Sequence, residues 1–300
     1  MALVDSQPPL RVRTQEYFRD LQDKLCTALE NADGKTVFSE DVWTHAGGGG
    51  GRTRVLQAGN VFEKAGVNFS AVTSMLPEKL AGRLQVPAQH IFATGVSLVL
   101  HPVSPMVPTV HMNLRYLELE DGDAWFGGGT DLTPYYLYEE DAGHFHRTLK
   151  TLCERHNPEW YPRFKRSCDE YFFIKHRDEA RGIGGIFFDY QRDHLEDFFE
   201  FIRDAGSGFL ESYLPIVERR KSEVWGENER EWQRIRRGRY VEFNLVYDRG
   251  TLFGLETNGR TESILMSLPP EVRWVYDHQP KSGSRESELV RVLRHPKDWA

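Results

Sequence analysis

Apolar residues in the first third of the chain change from a helical to a strand-like spacing. In residues 10–32 they recur at the helical period, and Gly34 ends the segment, which predicts an amphipathic helix. Runs rich in β-formers follow, with Pro and Gly in their turns, at residues 54–57, 67–72, 92–101, 109–119 and 124–127. Because most of these runs have no helical segment between them, they predict an antiparallel meander.

The rest of the chain has a mainly helical pattern. Amphipathic segments predict helices at 139–156, 160–176 and 194–236, the last broken near Gly206 and Gly226. Strand-like runs predict a buried strand at 184–190, a hairpin formed by 239–247 and 251–256, and a further strand at 272–276. Strands in one block and helices in another favour an α+β fold, in which helices cover an antiparallel sheet.

Composition and charge exclude several classes of protein. The 300 residues are 39% hydrophobic and 28% charged, unlike disordered or fibrous chains. The net charge of −7 disfavours nucleic acid as a main partner, and no apolar run reaches the ~18 residues that a membrane helix needs. Cys26, Cys153 and Cys168 are too widely spaced for a disulfide framework, a zinc site or an iron–sulfur cluster. The N-terminus lacks the apolar stretch of a secretory signal, so a cytoplasmic protein is expected.

Segment 97–115 contains the most candidate functional residues. Three prolines near its centre mark a loop between two strands in which polar and apolar residues alternate. A hairpin symmetric about residue 106 places His101 opposite His111 and Ser97 opposite Arg115. One sheet face then carries five polar side chains: Ser97, His101, His111, Asn113 and Arg115. Facing imidazoles suit proton transfer or metal binding, and the alternative is the solvated face of a half-exposed sheet.

Four histidines are candidates for a divalent-metal site: His101, His111, His146 and His176. No HExxH motif or close ligand spacing fixes a geometry for them. A structural, hydrogen-bonding role for His146 and His176 therefore stays open.

Two glycine runs, at 47–51 and 127–129, lie near aromatic residues. Neither fits a phosphate-binding loop or a dinucleotide motif. They are either flexible linkers or places where the backbone approaches a large flat or ring-shaped ligand.

Two predicted turns carry arginine. Asp248 and Arg249 occupy the turn of the predicted hairpin, and Asn258, Gly259 and Arg260 form a second turn. Arginine side chains at these turns can bind carboxylates in a bidentate manner. The alternative for Asp248 and Arg249 is an ordinary surface ion pair.

Long segments of the chain resemble the oxygen-dependent coproporphyrinogen III oxidase family. The matching segments lie at 47–72, 97–116, 125–136, 161–189 and 240–274, and they include SLVLHPVSPMVPTVHMNLRY and WFGGGTDLTPYY. They span most of the chain beyond residue 37 and are low in degeneracy, so the resemblance is specific.

The resemblance implies a single domain over residues 1–300, with a large flat antiparallel β-sheet sandwiched between α-helices. It implies that residues 1–36 form a helix packed on this domain and that 240–276 is the dimerisation segment of a homodimer. It also implies aerobic oxidative decarboxylation of the ring A and B propionates of coproporphyrinogen III to vinyls, giving protoporphyrinogen IX. Dioxygen is then the electron acceptor.

The resemblance also implies roles for individual residues. His111 is the proton donor, and the substrate contacts are Ser97, Asn113, Leu114, Arg115, Asn258, Gly259 and Arg260. His101, His111, His146 and His176 match proposed ligands of a divalent metal such as Mn, a requirement that stays open, and no organic cofactor is expected. The chemistry of the substrate adds Asp248 as an acceptor for the inward pyrrole N–H groups and Arg249 as a propionate anchor.

Two other functions remain as alternatives. One is a metal-dependent hydrolase or oxygenase built on the four histidines. The other is a non-catalytic tetrapyrrole carrier, which a proton donor at His111 beside Asp248 and Arg249 disfavours.

Overall fold

Seven strands form one antiparallel sheet in the computed structural model, which describes residues 7–76, 78–256 and 259–300. The described strands are β1 (Ser39–Thr44), β2 (Gly49–Gln57), β3 (Phe62–Met75), β4 (His90–Pro102), β5 (Thr109–Leu119), β6 (Ala124–Thr133), β7 (Phe173–Ile174), β8 (Glu179–Ala180) and β9 (Gly185–Gln191). The sheet order is β1-β2-β3-β4-β5-β6-β9, and β7 pairs separately with β8. All neighbouring pairs are antiparallel, which confirms the predicted meander and the α+β class.

Nine α-helices lie within the same described ranges. They are α1 (Leu10–Asp33), α2 (Glu78–Leu84), α3 (Glu139–Glu154), α4 (Trp160–Tyr171), α5 (Leu195–Arg220), α6 (Glu227–Val246), α7 (Arg249–Glu256), α8 (Thr261–Leu265) and α9 (Arg285–Arg294). A short 3₁₀ helix, Lys175–Arg177, joins β7 to β8. None of the described helices has both the length and the apolar character that crossing a membrane requires.

One face of the sheet packs against α1 and α5 through alternate apolar strand residues. Leu98, Val110 and Leu114 are almost fully buried, as are Phe18 and Leu25 of α1. Helix α1 contacts β3 and β4, and α5 contacts β5 and β6. Burying one such side chain stabilises the fold by about 1.5–3 kcal/mol, so helix α1 is an integral part of the core.

The C-terminal segment covers part of the opposite face. Ser263 of α8 bonds Thr53 of β2 through its hydroxyl at 2.7 Å, and its carbonyl accepts a hydrogen bond from the Asn68 amide of β3 at 2.7 Å. Met266 packs over Gly66, where a Cβ would lie 2.0 Å from the sulfur. Helices therefore lie on both faces of the sheet.

The glycine runs lie in the sheet and in the tight turn that joins β1 to β2, so the linker interpretation is wrong. Residues 49–51 lie in β2 and residues 127–129 lie in β6. At Gly51 a Cβ would lie 2.2 Å from the indole of Trp43, its partner across the β1–β2 ladder. Glycine thus allows a large side chain to lie flat on the strand.

The hairpin predicted at 239–256 is wrong, because both of its arms are helical. The buried residues of α6 include Gln233, Arg237, Tyr240 and Asn244, which follow the helical period. The apolar residues at 241, 243 and 245 alternate as in a strand, which suggested the hairpin. The residues that show the helical period are mostly polar or charged, and most lie earlier in the helix, so they were not recognised as its buried face. Asp248 therefore lies between α6 and α7 instead of in a β-turn.

Three smaller differences concern element boundaries. Helix α5 runs unbroken through Gly206, where a Cβ would lie 2.4 Å from Tyr17 Oη and 2.6 Å from Leu21 Cδ2. That glycine permits close packing of α1 on α5 and does not break the helix. Helix α4 ends at Tyr171, earlier than predicted, and residues 272–276 form no strand.

Candidate active site

Ser97 and Asn113 lie side by side on the polar face of the sheet. The β4–β5 ladder pairs Ser97 with Asn113 and Val99 with His111. The predicted pairs of His101 with His111, and of Ser97 with the arginine at 115, are therefore wrong. The ladder is centred on residue 105 instead of 106, which shifts the pairing by two residues and keeps each side chain on its predicted face.

Leu114 was expected to contact substrate, and the structure places its side chain on the other face. It is 2% exposed within the apolar core. Only its backbone borders the polar face, so a contact through its side chain is ruled out in this arrangement.

Two arginines from distant parts of the chain share one carboxylate above the polar face. Asp189 of β9 lies 3.0 Å from Arg115 Nη2 of β5 and 3.6 Å from Arg249 Nη2 at the start of α7. Asn113 Oδ1 accepts a hydrogen bond from Arg115 Nη1 at 3.0 Å. The arginine side chains are 31% and 43% exposed, which leaves both guanidinium groups able to bind carboxylates from solution.

Gly127 of β6 leaves space for this ion pair. A Cβ there would lie 2.6 Å from Asp189 Oδ1 and 2.8 Å from Arg115 Nη2. The second glycine run therefore supports a charged site on the sheet, in line with the ligand-approach interpretation.

His111 belongs to a buried charge network next to this site. Its Nδ1 lies 2.9 Å from Asp131 Oδ1, and Arg181 donates to the same oxygen at 2.7 Å. Burial raises the pKa of Asp131, but Arg181 and His111 outweigh it and leave that pKa below its usual value. The ionised carboxylate only accepts, so His111 Nδ1 carries the hydrogen. No described residue hydrogen-bonds His111 Nε2, which is left for a ligand.

Asp248 fixes the start of α7. Its Oδ2 accepts the backbone N–H and the hydroxyl of Thr251 at 2.7 and 2.9 Å, as an N-cap residue does. Its Oδ1 accepts a hydrogen bond from Tyr171 Oη at 3.0 Å. Tyr171 stacks on Phe187 of β9 with ring centroids 4.2 Å apart, and the Arg249 guanidinium lies 4.7 Å from the Tyr171 ring centre. These contacts hold Arg249 above β9.

Arg260 lies at the other side of the polar face, where it forms an ion pair with Asp41 of β1. The N–H of Gly259 donates to the Gly254 carbonyl at 2.8 Å, and Asn258 lies outside the described residues. Asp41 falls in the same cross-strand row as Asn113, four strands away. At ~4.8 Å per strand, about 19 Å separates these two row positions.

The polar face thus carries guanidinium groups near both ends of a row whose middle is polar. Helix α7 begins beside β9 and packs on α8, which covers β2 and β3, so α7 crosses above the strands between them. Guanidinium groups at separate points of one sheet face suit a ligand that carries several carboxylates. His111 supplies a group for proton transfer within the same face.

His101 and His146 are structural histidines. His101 Nε2 lies 2.8 Å from the Ser267 carbonyl oxygen, and His146 bonds Tyr161 Oη at 2.9 Å and the Ile183 carbonyl at 3.0 Å. Burial lowers the pKa of His101 well below its usual value and that of His146 to about 4. Both rings are therefore neutral at pH 7, with their nitrogens engaged by protein groups.

His176 lies elsewhere, with Nε2 2.7 Å from Glu242 Oε2 and Nδ1 2.8 Å from Tyr247 Oη. Among the described residues, no group of three or more His, Cys, Asp or Glu side chains is arranged to hold a metal ion. The residues present therefore do not fit a metal bound jointly by the four histidines.

Sequence reasoning missed three charged residues of the site: Asp131, Arg181 and Asp189. Asp131 had a local signal, because it follows Gly127 and Gly129 at the two-residue period of one strand face. Arg181 and Asp189 had none, since their partners on β5, β6 and α7 are brought close only by the fold.

Comparison with known protein families gives one match. Residues 13–299 match the family model described as coproporphyrinogen III oxidase. The match includes both the Arg115–Asp189–Arg249 cluster and the His111–Asp131–Arg181 network.

Proposed function

The chain belongs to the coproporphyrinogen III oxidase family, and from that membership we propose that it decarboxylates the ring A and B propionates of coproporphyrinogen III aerobically. Family membership implies coproporphyrinogen oxidase activity in haem or porphyrin biosynthesis. For each propionate, the side chain loses CO₂, one proton and two electrons to become a vinyl, and dioxygen takes up the two electrons, that proton and a second proton from solvent as hydrogen peroxide. Two such steps give protoporphyrinogen IX.

The observation that carries this proposal is the pair of arginines around Asp189. Arg115 and Arg249 lie 3.0 and 3.6 Å from one carboxylate and are partly exposed. A propionate that enters this cluster gains charge-assisted hydrogen bonds from guanidinium groups that Asp189 already positions. Arg260 at the far end of the row offers a similar contact to a propionate on another ring.

We propose that His111 moves a proton during the reaction. Its Nδ1 is hydrogen-bonded to Asp131, which leaves Nε2 without a hydrogen-bond partner among the described residues. A histidine held in this way can exchange a proton with the substrate or with the reduced oxygen product. Arg181 keeps Asp131 ionised and so fixes the orientation of the imidazole.

We propose that Asp248 accepts a hydrogen bond from a pyrrole N–H of the macrocycle. A carboxylate has about four lone-pair sites, and Thr251 and Tyr171 occupy three of them. The remaining site can accept from substrate and stabilise positive charge that develops on the pyrrole. The same residue then positions α7 and contacts the ring.

The proposal includes no organic cofactor. A divalent metal such as Mn, if the reaction needs one, would require a ligand set other than the four histidines together, because they do not meet. Metal analysis of the purified protein, with activity measured before and after chelation, tests this point and the rival metal-dependent hydrolase.

We also propose a cytoplasmic homodimer that uses segment 240–276. Several apolar side chains of this segment are exposed in the single chain: Leu245, Val246, Leu255, Trp274, Val275 and Tyr276. A cluster of this kind is typical of a protein interface. Sedimentation at micromolar concentration and moderate salt tests it, and a monomer would contradict it.

Product chromatography tests the proposed reaction. The protein is incubated with coproporphyrinogen III in air and, in parallel, without oxygen. Conversion to protoporphyrinogen IX in air alone supports the proposal. Tight binding without conversion would favour the carrier, and equal conversion without oxygen would contradict the aerobic assignment.

A further inference from the structure

A second charged cavity lies beside α6, next to α9. It has a volume of about 190 Å³, and its walls come from α6, α9, the 3₁₀ helix, β8 and residues 275–280. Arg237 and Tyr240 of α6 point toward the sheet, where they contact Glu63 and His101. Trp232, Arg236 and Arg239 line the cavity instead, so it lies on a different face of α6 from Arg237 and Tyr240.

Cationic side chains dominate this cavity. Four arginines line it: Arg177, Arg236, Arg239 and Arg294. Glu179 and Asp277 are the carboxylates of the lining, and Glu242 behind the wall pairs with Arg177 at 2.7 Å and with Arg239 at 3.0 Å. No described residue forms an ion pair with Arg294. Positive charge therefore exceeds the acids that could balance it.

Burial and this excess of positive charge lower the pKa of the Arg239 side chain. The like charges of Arg177 and Arg236 act in this direction despite the nearby Glu242. An anion in the cavity would relieve this repulsion among the arginines.

Arg236 is the most buried of the four. It is 4% exposed, and its guanidinium makes one hydrogen bond, from Nη1 to Glu179 Oε1 at 2.7 Å. Its Nε is buried without a partner among the described residues. A guanidinium has five donor hydrogens, so this buried side chain lacks acceptors of the kind that an oxyanion provides.

We propose that this cavity binds a small oxyanion, a phosphate or a carboxylate, held by Arg236, Arg239 and Arg294. The indole of Trp232 and the ring of His278, 5.8 Å apart, form its apolar side. A volume of 190 Å³ admits a polyatomic ion, since a single water needs only ~10–15 Å³. This site does not depend on the reaction proposed for the polar face.

Calorimetric titration of the full chain with inorganic phosphate tests the proposal. The titrations use an Arg115→Gln background at constant ionic strength, because the polar-face arginines also attract anions. We expect Arg239→Gln and Arg294→Gln each to raise the Kd for phosphate about tenfold, the effect of losing ~1.4 kcal/mol. Arg291→Gln is the matched control, since Arg291 is exposed on the same helix outside the cavity lining, and it should bind phosphate normally.

A parallel titration with acetate distinguishes the two sources of oxyanion. Tighter binding of phosphate supports a phosphate site, and tighter binding of acetate supports a carboxylate site. Phosphate and acetate that bind no better than chloride would overturn the proposal. So would Arg239→Gln and Arg294→Gln proteins whose phosphate Kd equals that of Arg291→Gln.

Discussion

His111 and His146 show how differently the two sides of the sheet use the same residue type. His146, in the helical layer, is fully buried, and its two ring nitrogens form hydrogen bonds with Tyr161 and the Ile183 carbonyl. His111, on the polar face, forms a hydrogen bond with Asp131 through one ring nitrogen, and its side chain is 20% exposed. A ring nitrogen without a partner among the described residues, and not the presence of a histidine, marks the residue that can take part in chemistry.

The same contrast separates the arginines. Arg181 is 2% exposed, and its guanidinium donates hydrogen bonds to Asp131 and Asn244. It therefore holds other side chains in place. Arg115 and Arg249 share Asp189 and keep accessible surface, so they can bind an incoming carboxylate. The predictions below test this division between holding and reacting groups.

The largest expected effect is on turnover at His111. We predict that His111→Ala lowers kcat by ~10²–10⁴, as loss of a general acid or base does. His146→Ala should leave kcat of the folded protein within a few-fold of wild type. Steady-state rates on both variants, corrected for folded fraction by near-UV circular dichroism, make the comparison. Equal large losses that added metal restores would instead support a metal site.

Asp248 tests whether a helix-capping residue also contacts substrate. We predict that Asp248→Asn and Asp248→Ser each lower kcat/KM by ~10²–10³, the effect of removing a charge-stabilising group. Serine is itself a good N-cap residue, so Asp248→Ser preserves the start of α7 while removing the carboxylate. Near wild-type kinetics for Asp248→Ser would restrict Asp248 to its capping role.

The helical layer should respond to pH through His146. Its pKa falls from about 6.5 in the unfolded chain to about 4 in the fold, because burial disfavours the charged ring. Its stabilising contribution is complete above pH 6.5 and is lost as the pH falls toward 4. Between pH 7 and 5 this loss is about 2 kcal/mol. Urea unfolding of wild type and His146→Gln at both values measures it, and identical pH slopes would contradict the assignment.

Gly127 offers a smaller test of the polar face. We predict that Gly127→Ala raises KM about tenfold with little change in kcat, because a Cβ would displace the Arg115–Asp189 pair. Gly82→Ala is the matched control, since nothing lies within 4 Å of its Cβ position. Wild-type KM for Gly127→Ala would show that the ion pair does not bind substrate.

The sheet could be predicted because its strands alternate strictly. Ser97, His111 and Asn113 were assigned to the correct face on that alternation, even though the register was wrong by two residues. Register depends on where the loop between the strands is centred, and three prolines in 102–108 do not determine that. A register shift of two residues leaves each side chain on the same sheet face, so the predicted polar face of the site was still correct.

The C-terminal helices and the charge cluster could not be predicted in the same way. Residues 241–246 alternate between apolar and polar as a strand does. Only the burial of Arg237 and Asn244 on one side of α6 reveals the helical period. Asp189 joins Arg115 and Arg249 through three separate elements. No local pattern encodes such a contact, because it depends on how β9 and α7 pack.

The central claim is that Arg115 and Arg249 bind the propionates of the substrate on the polar face. The most direct test is kcat/KM for coproporphyrinogen III in air with the double variant Arg115→Gln/Arg249→Gln. Arg155→Gln serves as the control, since Arg155 is exposed at the C-terminal end of α3. We predict a fall of at least ~10² for the double variant, which corresponds to ~2.7 kcal/mol, and no change for the control. A double variant with wild-type kcat/KM would contradict the account.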